Sequence, residues 1–315
     1  LKITNLRHSI KKSPEFKELA AQELGLSVRE IVQLKILRRA IDARQTRIDF
    51  VYTMLATIEA EKAVINRIIR KKNIKEYHEK QFKRSFSALK LKQQPIIIGC
   101  GPAGLFTALT LVERGISPLI IEQGQRISER SKTVEDFWER GRLNTDSNVF
   151  FGEGGAGTFS DGKLTTRTKS PLKEKVFEKL VDHGAPSEII YMHKPHIGTD
   201  RLRKIIPAIV NEMERKGVQF MFNTRVTDII ISQGRVCGIV AGDTLKTDHV
   251  FLATGHSAHD LYRLLQTKGV MLARKDFSVG VRIEHPQEFI NKMIFGAWDG
   301  YRMLGPADYF MSCKD

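Results

Sequence analysis

The sequence predicts an α/β protein: a Rossmann-like dinucleotide-binding domain with a parallel sheet and a β-meander, preceded by a small α+β domain. Three observations carry this. Composition changes abruptly near Gln93 and Gln94, a fully apolar run "PIII" then leads into closely spaced glycines, and apolar runs alternate with helix-patterned segments.

Before the boundary, "SPEFKELAAQELGL" reads as a short helix, with Ser13 as its cap, Pro14 in its first turn and Gly25 as its stop. "IVQLKILRRAIDARQTRIDFVYTMLATIE" contains two β-rich runs broken around Asp42 to Thr46, which predicts an antiparallel pair. "EKAVINRIIRKK" places Val64, Ile65, Ile68 and Ile69 on one helical face. Together these suggest a module of the split βαβ type, assigned to residues 1–92.

Residues 93–315 form the second expected domain. Segments at about 141–198 and 270–315 are assigned to a substrate or cap region within it. "TDRLRKIIPAIVNEMERKG" reads as a helix despite Pro207, and "VQFMFNT" as a short strand. "RVTDIIIS", "RVCGIVAG" and "TLKTDHVFLATG" read as strands joined by turns at Gln233-Gly234 and Gly242-Asp243.

At 315 residues, with 41% hydrophobic and 28% charged residues, the composition is that of a globular protein. No apolar run reaches the roughly 20 residues a membrane helix requires, so no membrane association is expected. The amino terminus lacks a secretory pattern and begins at leucine. Three scattered cysteines, Cys100, Cys237 and Cys313, form no C-x-x-C pair. That argues for a reducing cytoplasm and against disulfide-reductase chemistry, which needs two neighbouring thiols.

The net charge of +15 is concentrated at the amino end. Residues 1–92 hold 22 Lys/Arg and 10 Asp/Glu, a balance of +12, against +3 for the rest. Such a field, with Phe50, Tyr52, Tyr77, Phe82 and Phe86 among the cations, raises the alternative of a nucleic-acid-associated protein or RNA-binding module. A solvated basic face around core aromatics is the plainer expectation.

Gly99, Gly101 and Gly104 make a G-x-G-x-x-G immediately after an apolar strand and across the start of a helix at Pro102 and Ala103. Gly99 allows the tight turn, Gly101 lets a pyrophosphate approach the backbone, and Gly104 lets helix and strand pack closely. The second strand, "SPLIIEQG", ends at Glu122 and Gln123. Glu122 stands 23 positions after Gly99, close to the offset of the acid that receives a ribose hydroxyl. Further on, "FGEGGAGTFSDGKL" brings a second glycine cluster. Its backbone can approach a flat ligand, or it can be only a loop.

"GCGPAGLFTALTLVERG", "NVFFGEGGAGTFSDGKLTTR", "VFLATGHSAHD" and "FSVGVRIEHPQEFIN" resemble the bacterial FAD-dependent dehydrogenases, also called NAD(FAD)-utilising dehydrogenases, of the glutathione-reductase-like flavoprotein superfamily. The resemblance is strong over about residues 95–295, and "RAIDARQTRIDFVYTM" is similar to that family's amino-terminal module. It implies an FAD-dependent oxidoreductase with an unknown small-molecule substrate or electron carrier as partner. Gly101, Ala103 and Gly104 are expected against the FAD pyrophosphate, Glu122 against the adenosine ribose, Val226 near adenine through its main chain, and Thr254 and Gly255 over the dinucleotide. Arg130 and residues Gly154, Gly155, Ala156 and Gly157 are expected as further flavin neighbours. Family members usually continue beyond this point, so the chain is expected to be a fragment.

FAD would perform the electron chemistry, so the sequence names no catalytic residue. His256 and His259 could transfer protons, although a local structural role at a helix start accounts for them better. Glu153, Asp161 and Lys163 suit loop anchoring as well as ligand contact. His183, His193 and His196 are spaced too loosely for zinc, and no metal is expected. Arg282, Glu284 and His285 belong to a resembling segment of underived role. No second G-x-G-x-x-G for a nicotinamide nucleotide is visible. Either NAD(P)H binds without that fold, or reduction comes from an electron carrier or substrate.

Overall fold

A computed structural model describes residues 1–309 apart from 12, 45, 46, 79–90, 160, 161, 163, 165, 167, 169, 193, 194, 278, 282, 299, 301 and 302. Phe82, Phe86, Asp161, Lys163, His193, Arg282 and Cys313 therefore lie outside the described residues. The chain divides into two compact units: Leu1–Lys83, Ile190–His193 and Asp276–Asp315, and Arg84–Ile189 with Lys194–Lys275.

In the first unit, β1 (Lys2–Ser9), α1 (Phe16–Leu24), β2 (Ile31–Asp42), β3 (Asp49–Ile58), α2 (Lys62–Ile68) and β4 (Ile74–Lys75) build an antiparallel sheet in the order β2-β3-β1-β4. This is the split βαβ arrangement, with β3 between the parallel strands β1 and β2. Alternation along β3 turns Phe50, Tyr52, Met54 and Ala56 into a core shared with Ile3, Leu24, Ile68 and Ile74. Ile290 and Phe295, from the helix Gln287–Phe295, join the same core.

Two expectations change here. Helix α1 begins only at Phe16 with Glu15 at its cap, so Ser13 stands too far ahead to reach the first-turn amides; Gly25 does end the helix, at φ 71°. Phe50 and Tyr52 are each 1% exposed, so two of the aromatics considered for base stacking are core residues. Tyr77 is 40% exposed, and Phe82 and Phe86 lie outside the described residues, so the core placement covers Phe50 and Tyr52 alone.

In the second unit, β5 (Ile96–Ile98), α3 (Pro102–Val112), β6 (Leu119–Ile121), α4 (Ile127–Arg140), α5 (Leu172–Asp182), α6 (Thr199–Arg215) and β7 (Gln219–Met221) precede a meander. The meander is β8 (Asp228–Ser232), β9 (Arg235–Ala241) and β10 (Asp243–Lys246), followed by β11 (Val250–Leu252) and α7 (His259–Thr267). The parallel sheet runs β11-β5-β6-β7, with Ile97 level with Ile120 and Phe251. Gln233 and Gly234 both adopt positive φ, the twist-matched turn of a tight hairpin.

"TLKTDHVFLATG" is not one strand. Its first part closes the meander and its second returns to the parallel sheet, with buried Thr247 between them donating its hydroxyl to Gln94 O at 2.9 Å. Among the described residues no helix is long and apolar enough to cross a membrane.

Candidate functional site

The site begins where β5 turns into α3. Gly99 has φ 107°, and a Cβ there would lie 2.4 Å from Ala253 O. A Cβ on Gly104 would lie 2.0 Å from Gly99 O. Neither position accepts a side chain. Gly101 differs: its nearest obstacle is Gly155 Cα at 3.8 Å, so the missing side chain leaves open space in front of the helix. Gly101 caps α3, Pro102 occupies its first turn, and Leu105 N is bonded to Gly101 O at 3.0 Å. The amides of Ala103 and Gly104 precede that ladder, so they and the positive end of the helix suit an anion.

The second glycine cluster forms the facing wall. Gly154 N donates to Cys100 O at 2.9 Å, and a Cβ on Gly155 would stand 3.0 Å from Gly101 Cα. Arg130, fully buried, holds this wall from behind. Its Nε donates to Asn148 O (2.9 Å), Nη1 to Glu153 O (2.7 Å) and Nη2 to Gly155 O (3.0 Å). Its guanidinium also lies over the Phe159 ring at 4.6 Å, and burial lowers its pKa to about 10. Glu153 Oε2 accepts from Ile127 N at 2.7 Å, at the start of α4, while Oε1 is buried without a partner. Burial pushes the Glu153 carboxyl pKa up.

Glu122 ties three loops together. Its Oε2 accepts from Cys100 N at 2.8 Å, and its Oε1 from Gly124 N at 2.9 Å and Gly152 N at 3.0 Å. One acceptor direction on Oε2 is left for a ribose hydroxyl. Beside it, Gln123 Nε2 is buried with no partner.

These walls enclose a cleft of about 580 Å³, within the range of small-molecule sites. Of the residues singled out in the sequence, Gly99, Gly101, Pro102, Ala103, Glu122 and Gln123 line it, as do Gly155, Ala156, Gly157, Val226, Thr254 and Gly255. Gly104 and Gly154 stand behind that surface, and Arg130 supports it without lining it. Sequence reasoning missed Phe150, Phe151, Thr224, Leu261, Tyr262 and Leu265. The two phenylalanines directly precede the second glycine cluster, and Leu261 and Leu265 sit one turn apart on α7, a spacing that could have been noticed.

Other candidates fall elsewhere. His256 lines the cleft, whereas His259 is the first residue of α7. His183 Nε2 pairs with Glu212 Oε2 at 2.5 Å and its Nδ1 with Lys179 O, a structural latch. His285 pairs with Tyr309 in the first unit. No group of residues suited to a metal ion occurs among those described. Cys100 is buried, which raises its thiol pKa well above the usual value, and Cys237 is exposed; neither is in a disulfide.

Residues 93–292 match the family described as pyridine nucleotide-disulphide oxidoreductase. Residues 276–315 match FAD-dependent protein, C-terminal domain-like, and 1–57 a domain of unknown function, DUF8436. An uncharacterized protein of Clostridium beijerinckii is 40% identical over 91% of this chain and 54% of its own. Protein FixC of Escherichia coli K12 is 28% identical over 62% of this chain and 44% of its own. The probable electron transfer flavoprotein-quinone oxidoreductase YdiS of the same strain is 26% identical, over 52% and 37%. The chain thus spans about half, or less, of the length of these relatives.

FAD is the cofactor that these matches indicate, and the residues present fit it. The space before Gly101 is one a Cβ would fill, and Gln123 Nε2 is a buried donor without an acceptor. With the match extending over more than half of its residues and the cleft lying wholly inside the matched span, this chain belongs to the pyridine nucleotide-disulphide oxidoreductase family.

Proposed function

We propose that the protein is an FAD-dependent oxidoreductase of the NAD(FAD)-utilising dehydrogenase group, exchanging hydride or electrons with a partner through the flavin. The observation that carries this reading is the opposition of Gly101 and Gly155 at the amino end of α3. The two backbones touch, since a Cβ on Gly155 would stand 3.0 Å from Gly101 Cα, which keeps side chains away from the amino end of α3, where a diphosphate meets amides and a helix dipole.

Bound FAD supplies the redox chemistry; the chain binds and orients it. Glu122 and Gln123 receive the adenosine ribose, and Val226, Leu261 and Leu265 form the apolar end for the base. Arg130 and Glu153 keep the 152–157 wall in place. The YdiS resemblance supports an electron carrier as one exchange partner.

The test is an absorbance spectrum of the purified protein during anaerobic titration with NADH and then NADPH. Flavin bands and released FAD are expected, with bleaching by one nucleotide if NAD(P)H is the reductant. Flavin that resists both nucleotides but is photoreduced and then reoxidised by an electron carrier favours the carrier reading. A colourless protein that takes up no FAD on reconstitution would remove the proposal.

A further inference from the structure

Among the described residues that line the cleft, none is a permanent cation: there is no lysine or arginine, the acid is Glu122, and His256 alone can gain a positive charge. Resting on the FAD reading above, we infer that His256 is a cofactor-binding residue whose protonated imidazole pairs with the diphosphate, making dinucleotide affinity depend on pH.

Geometry supports this. His256 directly follows Thr254 and Gly255, which line the cleft, and its ring is exposed. The Phe150 ring meets it edge-on at 5.9 Å. Ser257 Oγ lies 3.2 Å from Nε2, which leaves Nδ1 without a protein partner among the described residues.

The charged and titratable groups on surrounding elements are largely engaged elsewhere. Glu122, at the end of β6, accepts from three backbone amides. Asp146, on the segment leading to Phe150, and Asp260 of α7 both pair with Arg225, at 3.1 and 3.6 Å. Arg263 pairs with Asp260, Tyr262 donates to Gly255 O, and His259 heads α7. A bound diphosphate would therefore be the anion that His256 answers. Histidine is the side chain that ordinarily titrates between about pH 5 and 8. A bound diphosphate favours the charged imidazole, so dinucleotide affinity is expected to be greater at the acid end of that range.

The experiment uses the full chain stripped of flavin, titrated from pH 5.5 to 8.5 with FAD, ADP-ribose and adenosine. ADP-ribose carries a diphosphate esterified at both ends, as in FAD, so the ligand's phosphates do not titrate in this range. FAD and ADP-ribose should bind about tenfold more tightly at the acid end, as expected for gaining one charge-assisted contact. Adenosine affinity should stay flat. His256→Gln should hold the weak alkaline value at every pH, and His256→Lys should stay tight throughout. Equal pH profiles for wild type and His256→Gln, or a pH-dependent adenosine, would overturn the inference while leaving FAD binding intact. Failure of every form to bind FAD would instead defeat the underlying reading.

Discussion

Both compact units carry a strand through a helix to a parallel strand, and they secure that crossover by opposite means. In the first unit β3 separates the two strands, and large side chains fill the space: Phe50, Tyr52 and Met54 are at most 1% exposed. Its Gly25 serves a backbone angle only, since an added Cβ would meet nothing within 4 Å. In the second unit β5 and β6 are adjacent, and contact is backbone on backbone. Gly99, Gly104 and Gly124 each sit where a Cβ would approach a backbone atom to 2.6 Å or less. The first unit is specified by what its side chains occupy, the second by where side chains are missing. The latter leaves the amides of Ala103 and Gly104 at the start of α3 for a ligand.

The two tryptophans allow this contrast to be broken directly, because Trp298 lies in the first unit and Trp138 in the second. In Trp138→Phe and Trp298→Phe backgrounds, urea unfolding can be followed by the remaining indole. Phe50→Ala should produce the largest loss, about 4 kcal/mol, by opening a cavity in the first core, and should be read by Trp298. Gly104→Ala should cost about 3 kcal/mol through overpacking, and should be read by Trp138. A Gly104→Ala protein with an unchanged Trp138 transition would end the distinction.

Arg130 sharpens it at a single side chain. Arg130→Met leaves the carbonyls of Asn148, Glu153 and Gly155 without its three donors. The expected cost is about 2 kcal/mol for the buried acceptors, with faster amide exchange across 152–157 measured by mass spectrometry. Arg130→Lys should restore less than half, because an ammonium cannot reach three divergent carbonyls. Wild-type exchange in Arg130→Met would show that the wall stands on its glycines alone.

What the sequence made legible follows the same division. The first fingerprint was readable because each of its glycines has a local cause, within one strand, turn and helix. The antiparallel pairing of β2 with β3 and the apolar face of α2 were readable for the same reason. Contacts remote in sequence were not. Nothing local shows that Gly155 will face Gly101, that Glu122 will accept from Gly152, or that Arg130 will turn away from the cleft toward carbonyls. Likewise Thr247 looks like one more residue in a long strand, and only the existence of two separate sheets reveals it as the break between them.

The smallest effect expected lies at Glu153, which joins the two styles: a buried side chain inside the glycine-built wall. Its Oε2 is held by Ile127 N and its Oε1 has no partner, with Arg126, Glu214 and Arg130 as the charged groups that act on it. Burial raises the carboxyl pKa, so the fold binds this proton more tightly than the unfolded chain does. Its contribution to stability is therefore fully present below the unfolded value, near pH 4.3, and is lost as pH rises through the folded value. Glu153→Gln keeps an oxygen for Ile127 N and remains neutral. It should stabilise the protein by about 1 kcal/mol at pH 7 and be indistinguishable from wild type at pH 4, by the Trp138 urea midpoint. Neighbouring carboxylates titrate in both proteins, so the difference isolates this residue. A Glu153→Gln protein less stable than wild type at pH 7 would mean that the charged cap on α4 outweighs desolvation, and that this wall depends on electrostatics as well as on absent side chains.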